Sequence, residues 1–172
     1  MPDKKALVVI DLQNDYLWDK RKEMFTYDTE NLINSVNNAI THHKENGYDI
    51  IYIAQVFPNI ATNRWIIGFS IKGTEGAKLY DKLNIVSDLY FEKLKSSAYS
   101  SKAFREYMGK QNYSKLVICG LDECGCVRAT AKDAAKTGAK VSIIKDCTAT
   151  RFPESKIIKV RKALDKLGVR YI

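Results

Sequence analysis

Histidine is almost missing from this chain. Only His42 and His43 occur in 172 residues, and they are neighbours. Adjacent residues on a helix point in different directions and lack the i, i+4 relation through which two imidazoles share a cation. The Cys124-x-Cys126 pair has no two further ligands at suitable spacing, so no metal site is expected; no other cofactor is expected either. Long apolar runs are also missing. None approaches the ~20 residues of a membrane span. The N-terminus, Met1-Pro-Asp-Lys-Lys, enters an apolar strand without signal-peptide architecture. The expectation is therefore a cytoplasmic protein without a membrane partner, whose four cysteines (Cys119, Cys124, Cys126 and Cys147) stay reduced. Internal repeats, low-complexity tracts and linkers are absent, and the length suits one domain over residues 1–172.

Positive charge is in excess, at +8 from 28 basic and 20 acidic residues. A nucleic-acid partner is the first possibility this raises. The bases are scattered, however. Lys156, Lys159, Arg161, Lys162 and Lys166 alternate with apolar positions, which reads as the solvated face of an amphipathic helix. No basic run interleaves with aromatics, so no nucleic-acid partner is expected. Attraction of a small anionic substrate stays open.

The apolar pattern switches repeatedly between two periods. Continuous runs at Ala6–Leu12, Asp49–Val56, Asp88–Glu92, Lys115–Gly120, Lys140–Asp146 and Val169–Ile172 read as strands. Helical spacing covers Thr29–Asn46, Ser101–Gln111, an alanine-rich Gly125–Thr137 and Pro153–Leu167. Asp28 or Thr29 is placed to cap the first of these, and Gly47 to stop it. Residues 57–87 show little periodicity; a stretch this long in a compact domain is usually functional. The alternation predicts an α/β fold, a three-layer α/β/α sandwich around a mostly parallel, about six-stranded sheet with right-handed crossovers.

In such folds ligands bind beyond the carboxyl ends of the strands, where strand order reverses. That filter selects Asp11 after the first strand, Lys93 after the third, and Cys126 where the fourth gives way to a helix. Each has an ordinary alternative. A lone cysteine is commonly a small buried hydrophobe, a strand-end aspartate a turn-former, and a lysine after a strand a surface charge. The chemical reading joins them. A helix N-terminus lowers a thiol pKa, a nearby carboxylate moves its proton, and an ammonium between them favours the ionised sulfur. Asp15 reads as a loop stabiliser, and Cys119 and His43 as packed residues.

Three segments together resemble the isochorismatase-like cysteine hydrolase superfamily: Ala6-Leu-Val-Val-Ile-Asp-Leu-Gln-Asn-Asp15, Lys93-Leu-Lys-Ser-Ser-Ala-Tyr99, and Val117 through Ala131 with Asp133, Ala134, Gly138 and Asp146 beyond it. The resemblance spans nearly the whole chain. It implies a six-stranded parallel sheet between helices and an Asp–Lys–Cys triad at Asp11, Lys93 and Cys126. It further implies a non-proline cis peptide between Leu121 and Asp122, an oxyanion hole from the backbone amides of Asp122 and Cys126, and a homo-oligomer, either dimer or tetramer. Cys126 favours the amidase branch. Nicotinamidases of the family carry an Asp/His metal cluster after the second strand; Gln55–Arg64 contains neither residue, which points away from that activity. Asp122 replaces a usual small residue and would crowd or polarise the oxyanion region.

The expected activity is hydrolysis of a C–N bond in a small amide or ureide through a thioester. Tyr16, Trp18, Trp65 and Tyr99 are candidate aromatic walls of the pocket, and Gln55 a polar contact. The alternatives are a binding or scaffold protein that kept the fold without turnover, and a thiol redox protein using Cys124 and Cys126.

Overall fold

A computed structural model describes residues 3–172. Six strands form one all-parallel sheet in the order β3-β2-β1-β4-β5-β6. They are β1 (Lys5–Ile10), β2 (Asp49–Gln55), β3 (Tyr90–Lys93), β4 (Lys115–Gly120), β5 (Lys140–Thr148) and β6 (Arg170–Tyr171). The order runs outward one way through β2 and β3 and the other way through β4 to β6. The reversal therefore lies between β1 and β4, where Ile10 pairs with Gly120. Both central strands are buried on both faces, which explains their unbroken apolar sequences.

The helices divide between the two faces. One core joins Val8, Ile10, Ile51 and Ile118 to Phe104 and Met108 of α4 (Lys102–Gln111), Val127 and Ala131 around α5 (Arg128–Ala134), and Val160 and Leu164 of α6 (Glu154–Asp165). The other joins Leu7, Val9, Ile50 and Val117 to Leu17 of α1 (Asn14–Leu17) and to Leu32, Ile33, Val36 and Ile40 of α2 (Thr29–Glu45). The Asp28 carboxylate caps α2 by accepting from the Asn31 amide at 3.3 Å, and Gly47 follows it at φ 76°.

Three elements differ from the sequence pattern. The alanine-rich stretch is not one helix. It opens with a π-helical turn over Glu123–Val127, continues as α5 and closes with a 3-10 turn over Ala135–Thr137. The kink falls at Gly125, whose backbone is non-helical. The C-terminal helix is shorter than its apolar pattern, with Pro153 as its N-cap residue. The weakly periodic residues 57–87 fold back over the carboxyl edge of the sheet. They include α3 (Ala61–Ile66) and are pinned by bridges Phe57–Ile71 and Gln13–Leu79.

The switch point needs close backbone approach. Gly120 sits at φ 110°, and a Cβ there would lie 2.1 Å from the Ile10 carbonyl oxygen. That obstacle is a central strand, which cannot yield. Gly120→Ala is expected to cost about 3 kcal/mol or more in urea denaturation. Gly138→Ala, also at positive φ but with nothing within 4 Å of its Cβ, should cost only about 1–2 kcal/mol. Equal losses would show that strain, not crowding, governs Gly120.

Candidate active site

The first strand ends in an unusual conformation. Asp11 has φ 54°, a region that few non-glycine residues enter, aspartate more readily than most. Its amide still donates to the Ile53 carbonyl at 2.8 Å, so the chain turns while the ladder holds. The turn leaves the Asp11 carboxylate inside the sheet edge, 3 % exposed.

Lys93 ends β3 and is 2 % exposed. An ammonium has three protons, and each finds an acceptor. Asp11 Oδ2 lies at 2.9 Å, Gln55 Oε1 at 2.8 Å and Cys126 Sγ at 3.4 Å. Burial alone would lower the Lys93 pKa, but the Asp11 carboxylate and the Cys126 sulfur outweigh it and hold it above its ordinary value. The three residues selected at strand ends thus meet at one ammonium.

Gln55 is held equally firmly. It pairs in register with Lys93, and its Nε2 donates to the Leu94 carbonyl at 2.6 Å. Gln13, fully buried, locks the backbone of Gln55 from the other side. Gln13 Nε2 donates to the Gln55 carbonyl, and Gln13 Oε1 accepts from the Gln55 amide, both at 2.9 Å. Gln13 stands two residues past Asp11, within reach of the strand-end filter, yet carries no chemistry of its own that would single it out.

Cys126 lies in the π-helical turn and is only partly buried. Its thiol is not lowered as a helix N-terminus would predict. It is pushed up to about 12, first by burial and then by the Asp11 charge, with Lys93 pulling the other way. Two features explain the reversal. The sulfur precedes α5, which begins at Arg128, and loses solvent to the cavity walls. The carboxylate of Asp11 beside it opposes a second negative charge, and Lys93 offsets only part of that opposition. Asp11 Oδ1 is buried without a hydrogen-bond partner, an acceptor left free for a proton.

The Leu121–Asp122 peptide is trans, since the described residues contain no cis bond. This corrects the cis geometry implied by the resemblance and agrees with the ~3–4 kcal/mol preference for trans at non-proline bonds. Asp122 does not crowd the site. Its Oδ1 accepts from the Cys124 amide at 2.9 Å and Thr150 Oγ1 at 2.7 Å; its Oδ2 accepts from the Arg151 amide at 3.0 Å and Tyr27 Oη at 3.1 Å. Four donors hold the carboxylate, so it caps the π-turn and ties it to the loop after β5. Next to it, buried Glu123 takes Arg161 of α6 through two bonds of 2.7 and 3.1 Å, removing that arginine from the solvated face.

A cavity of about 260 Å³ opens above Cys126, lined also by Asp11, Tyr16, Gln55, Phe25, Phe69, Phe152 and Arg151. Of the five residues proposed as pocket walls or contacts, Tyr16 and Gln55 line this cavity. Trp18, Trp65 and Tyr99 do not. Trp65 is 92 % exposed, on a six-residue helix that buries nothing. Tyr99 follows β3 and packs edge-on against Phe104 at 5.1 Å, in the core on the α4 side. Trp18 ends α1 with Lys20 over its ring. Phe25, Phe69 and Phe152 lie in segments without periodicity, where no spacing marks which aromatic turns inward. Among the described residues no three His, Cys, Asp or Glu side chains gather to hold a metal ion. The donor set does not fit the Asp/His cluster that the resemblance associates with nicotinamidases.

A doubly wound α/β sheet with a carboxylate, an ammonium and a thiol gathered at its switch point defines the class of protein. The chain belongs to the isochorismatase family: residues 5–167 match the Isochorismatase domain. A probable inactive nicotinamidase from Arabidopsis thaliana is 28 % identical over 162 residues, covering 87 % of this chain and 82 % of that protein. An isochorismatase-like hydrolase from Alkaliphilus metalliredigens superposes with a TM-score of 0.83 at 22 % identity, covering 98 % of this chain and 93 % of that one. N-carbamoylsarcosine amidase from Thermoplasma acidophilum gives 0.80 at 22 % identity, covering 98 % and 95 %. No helix among the described residues is long and apolar enough to cross a membrane.

The charge arrangement predicts opposite shifts from two variants. Asp11→Asn removes a charge that favours the neutral thiol, so thiolate absorbance should appear at lower pH than in the wild type. Lys93→Met removes a charge that favours the thiolate, so it should appear at higher pH. Shifts in the same direction would mean that the two groups do not act on sulfur independently.

Proposed function

We propose that the protein hydrolyses the C–N bond of a small amide or ureide, with Cys126 as nucleophile and Asp11 and Lys93 as its partners. The observation that carries this reading is the Lys93 ammonium, hydrogen-bonded at once to Asp11 and to the Cys126 sulfur beneath an open cavity. No purely structural role requires a lysine to be buried there, because burying its charge costs several kcal/mol before pairing.

The reaction begins from the neutral thiol. Asp11 takes the Cys126 proton as sulfur attacks the carbonyl carbon, so no free thiolate need accumulate. Lys93 remains protonated and balances the negative charge as it passes from Asp11 to the substrate oxygen. The backbone amides of Asp122 and Cys126 stabilise that oxyanion. The Asp122 amide has no acceptor among the described residues, which suits the role. The tetrahedral adduct collapses, the C–N bond breaks, and Asp11 returns the proton to the departing nitrogen. Water, deprotonated by Asp11, then adds to the thioester; its collapse releases the acid and restores the thiol.

A second reading has one specific observation in its favour, the relative described as an inactive nicotinamidase. It is a binding protein of the same fold without turnover. A panel of small amides, ureides and imides distinguishes the two, scored by ammonia release and by mass spectrometry of acid-quenched protein. Hydrolysis predicts turnover on some member, an acyl adduct on Cys126, and a loss of about 10³-fold or more in Cys126→Ala and Cys126→Ser. Full activity in Cys126→Ala would overturn the mechanism.

A further inference from the structure

A groove of about 730 Å³ runs between α5 and α6, and it shares no lining residue with the Cys126 cavity. Arg128, Lys132 and Lys136 stand along one bank, spaced four residues apart. Lys159, Lys162 and Lys166 stand along the other, spaced three and four apart. Both spacings return a side chain to the same helix face once per turn, so each bank carries three cations over about 10–12 Å. All six residues are exposed. The scattered charges of the sequence are thus gathered into one concavity by the packing of two helices.

Asp133 supplies the one carboxylate lining the groove, and it pairs with Lys136 at 2.8 Å. Among the described residues the other five cations form no ion pair. The groove therefore holds an excess of five positive charges, out of +8 for the whole chain. Neighbours along a bank are about 6 Å apart, inside the Debye length of ~8 Å at physiological salt, so they repel one another. Soluble surfaces ordinarily intersperse the two signs; an anionic occupant relieves the repulsion. The floor decides which anion. It includes Ala129, Ala163 and Leu167, the last 49 % exposed. No aromatic side chain lines the groove, so a nucleic-acid base has no ring to stack on. An apolar strip between two cationic banks matches a helix with an apolar stripe and acids on both flanks, and the small alanines let its backbone approach closely. A second copy of this chain does not supply such a helix, because none of α1 to α6 carries more than two carboxylates.

We propose that the α5–α6 groove docks an acidic amphipathic helix of a different protein, its apolar stripe on Ala129, Ala163 and Leu167 and its carboxylates along both cationic banks. Acids recurring every three or four residues on that helix rise at the same pitch as the cations, so several pairs form in one register. Five of the six cations are lysines, point charges on flexible stems that follow a carboxylate wherever it sits. The inference stands apart from the hydrolytic reading, since Cys126 opens into another cavity.

Two labelled synthetic peptides of about 18 residues, five helical turns, test this by fluorescence anisotropy against the whole protein. Both have one composition of leucine, alanine and glutamate. In the first, leucines recur at i, i+3, i+4 and i+7 with glutamates on both flanks; in the second, the order is shuffled so that glutamates surround the helix. The first should bind at least about 10-fold more tightly than the second, and more weakly as salt is raised. Lys132→Glu with Lys162→Glu, one reversal on each bank, should weaken it by about 10-fold or more. Lys44→Glu with Lys110→Glu makes the same change in net charge at exposed positions outside the groove and should leave binding within about 2-fold. Leu167→Gln should weaken the first peptide and not the second. No binding of the first peptide, equal affinity for the two, or an equal loss in the two double variants overturns the proposal. Tighter binding of a labelled oligothymidylate than of the first peptide, lost in Lys132→Glu with Lys162→Glu, overturns the protein partner in favour of a nucleic-acid backbone.

Discussion

A lysine ammonium shielded from water at the end of a short strand governs this architecture. Lys93 has three protons, and carboxylate, amide and sulfur each accept one. Removing any acceptor leaves a buried charge short of a partner, a loss commonly worth about 3–5 kcal/mol when an ion pair is broken. The surroundings therefore have to hold those acceptors still. Gln13 does so for Gln55 by pairing with both its amide and its carbonyl. The left-handed turn at Asp11 does so for the carboxylate, and Gly120 lets β4 come close enough to bring the turn that carries Cys126 alongside. Such strain is tolerated where neighbouring contacts over-determine the conformation. Here they do, because the ladder continues past the turn through Asp11 to Ile53 and through Leu121 to Ile10.

The same charges decide the state of the sulfur. A lone cysteine beside a lysine would ionise easily. Cys126 shares Lys93 with Asp11, and burial and the carboxylate together overcome the ammonium. A raised thiol pKa suits the proposed reaction. A protonated sulfur is a weaker target for oxidants than a thiolate, and under the proposed mechanism its deprotonation is coupled to attack through Asp11. The attraction of Lys93 to the sulfur grows only as negative charge develops there, which directs electrostatic stabilisation to the reacting state rather than the resting one.

How much of this was legible in the sequence depended on whether a residue's role is set locally. The strands, the sheet class and the three strand-end groups follow from hydrophobic period and from the rule that places ligands at strand carboxyl ends. Asp11, Lys93 and Cys126 are 82 and 33 residues apart in successive steps, yet each is marked by its own strand. The pocket wall is different. Trp65 and Phe69 lie four residues apart in one aperiodic stretch; one is exposed and the other lines the cavity. Which of them turns inward is decided by tertiary contacts, the bridge from Phe57 to Ile71 and the Asp15 carboxylate that accepts from the Ser70 amide at 2.6 Å. The upward shift of the Cys126 thiol is hidden from the sequence for a related reason. Alanine-rich sequence signals a helix but does not reveal that its first turn is wound as π, with the dipole starting beyond the cysteine.

Asp122 shows how a residue that looks wrong for its place can be what organises it. A carboxylate beside the proposed oxyanion site would oppose negative charge if it faced the site unpaired. Four donors instead absorb it, and they come from three parts of the structure: the π-turn, the loop after β5 through the Thr150 hydroxyl and the Arg151 amide, and Tyr27. A small neutral residue at this position would leave the loop after β5 without its anchor to the turn that carries Cys126. The acid therefore does at close range what a hydrophobic contact does poorly: it fixes the direction of approach as well as the distance. Through it, the cavity wall carrying Arg151 and Phe152 keeps register with the turn that carries Cys126, so the outer wall and the sulfur are positioned by one carboxylate.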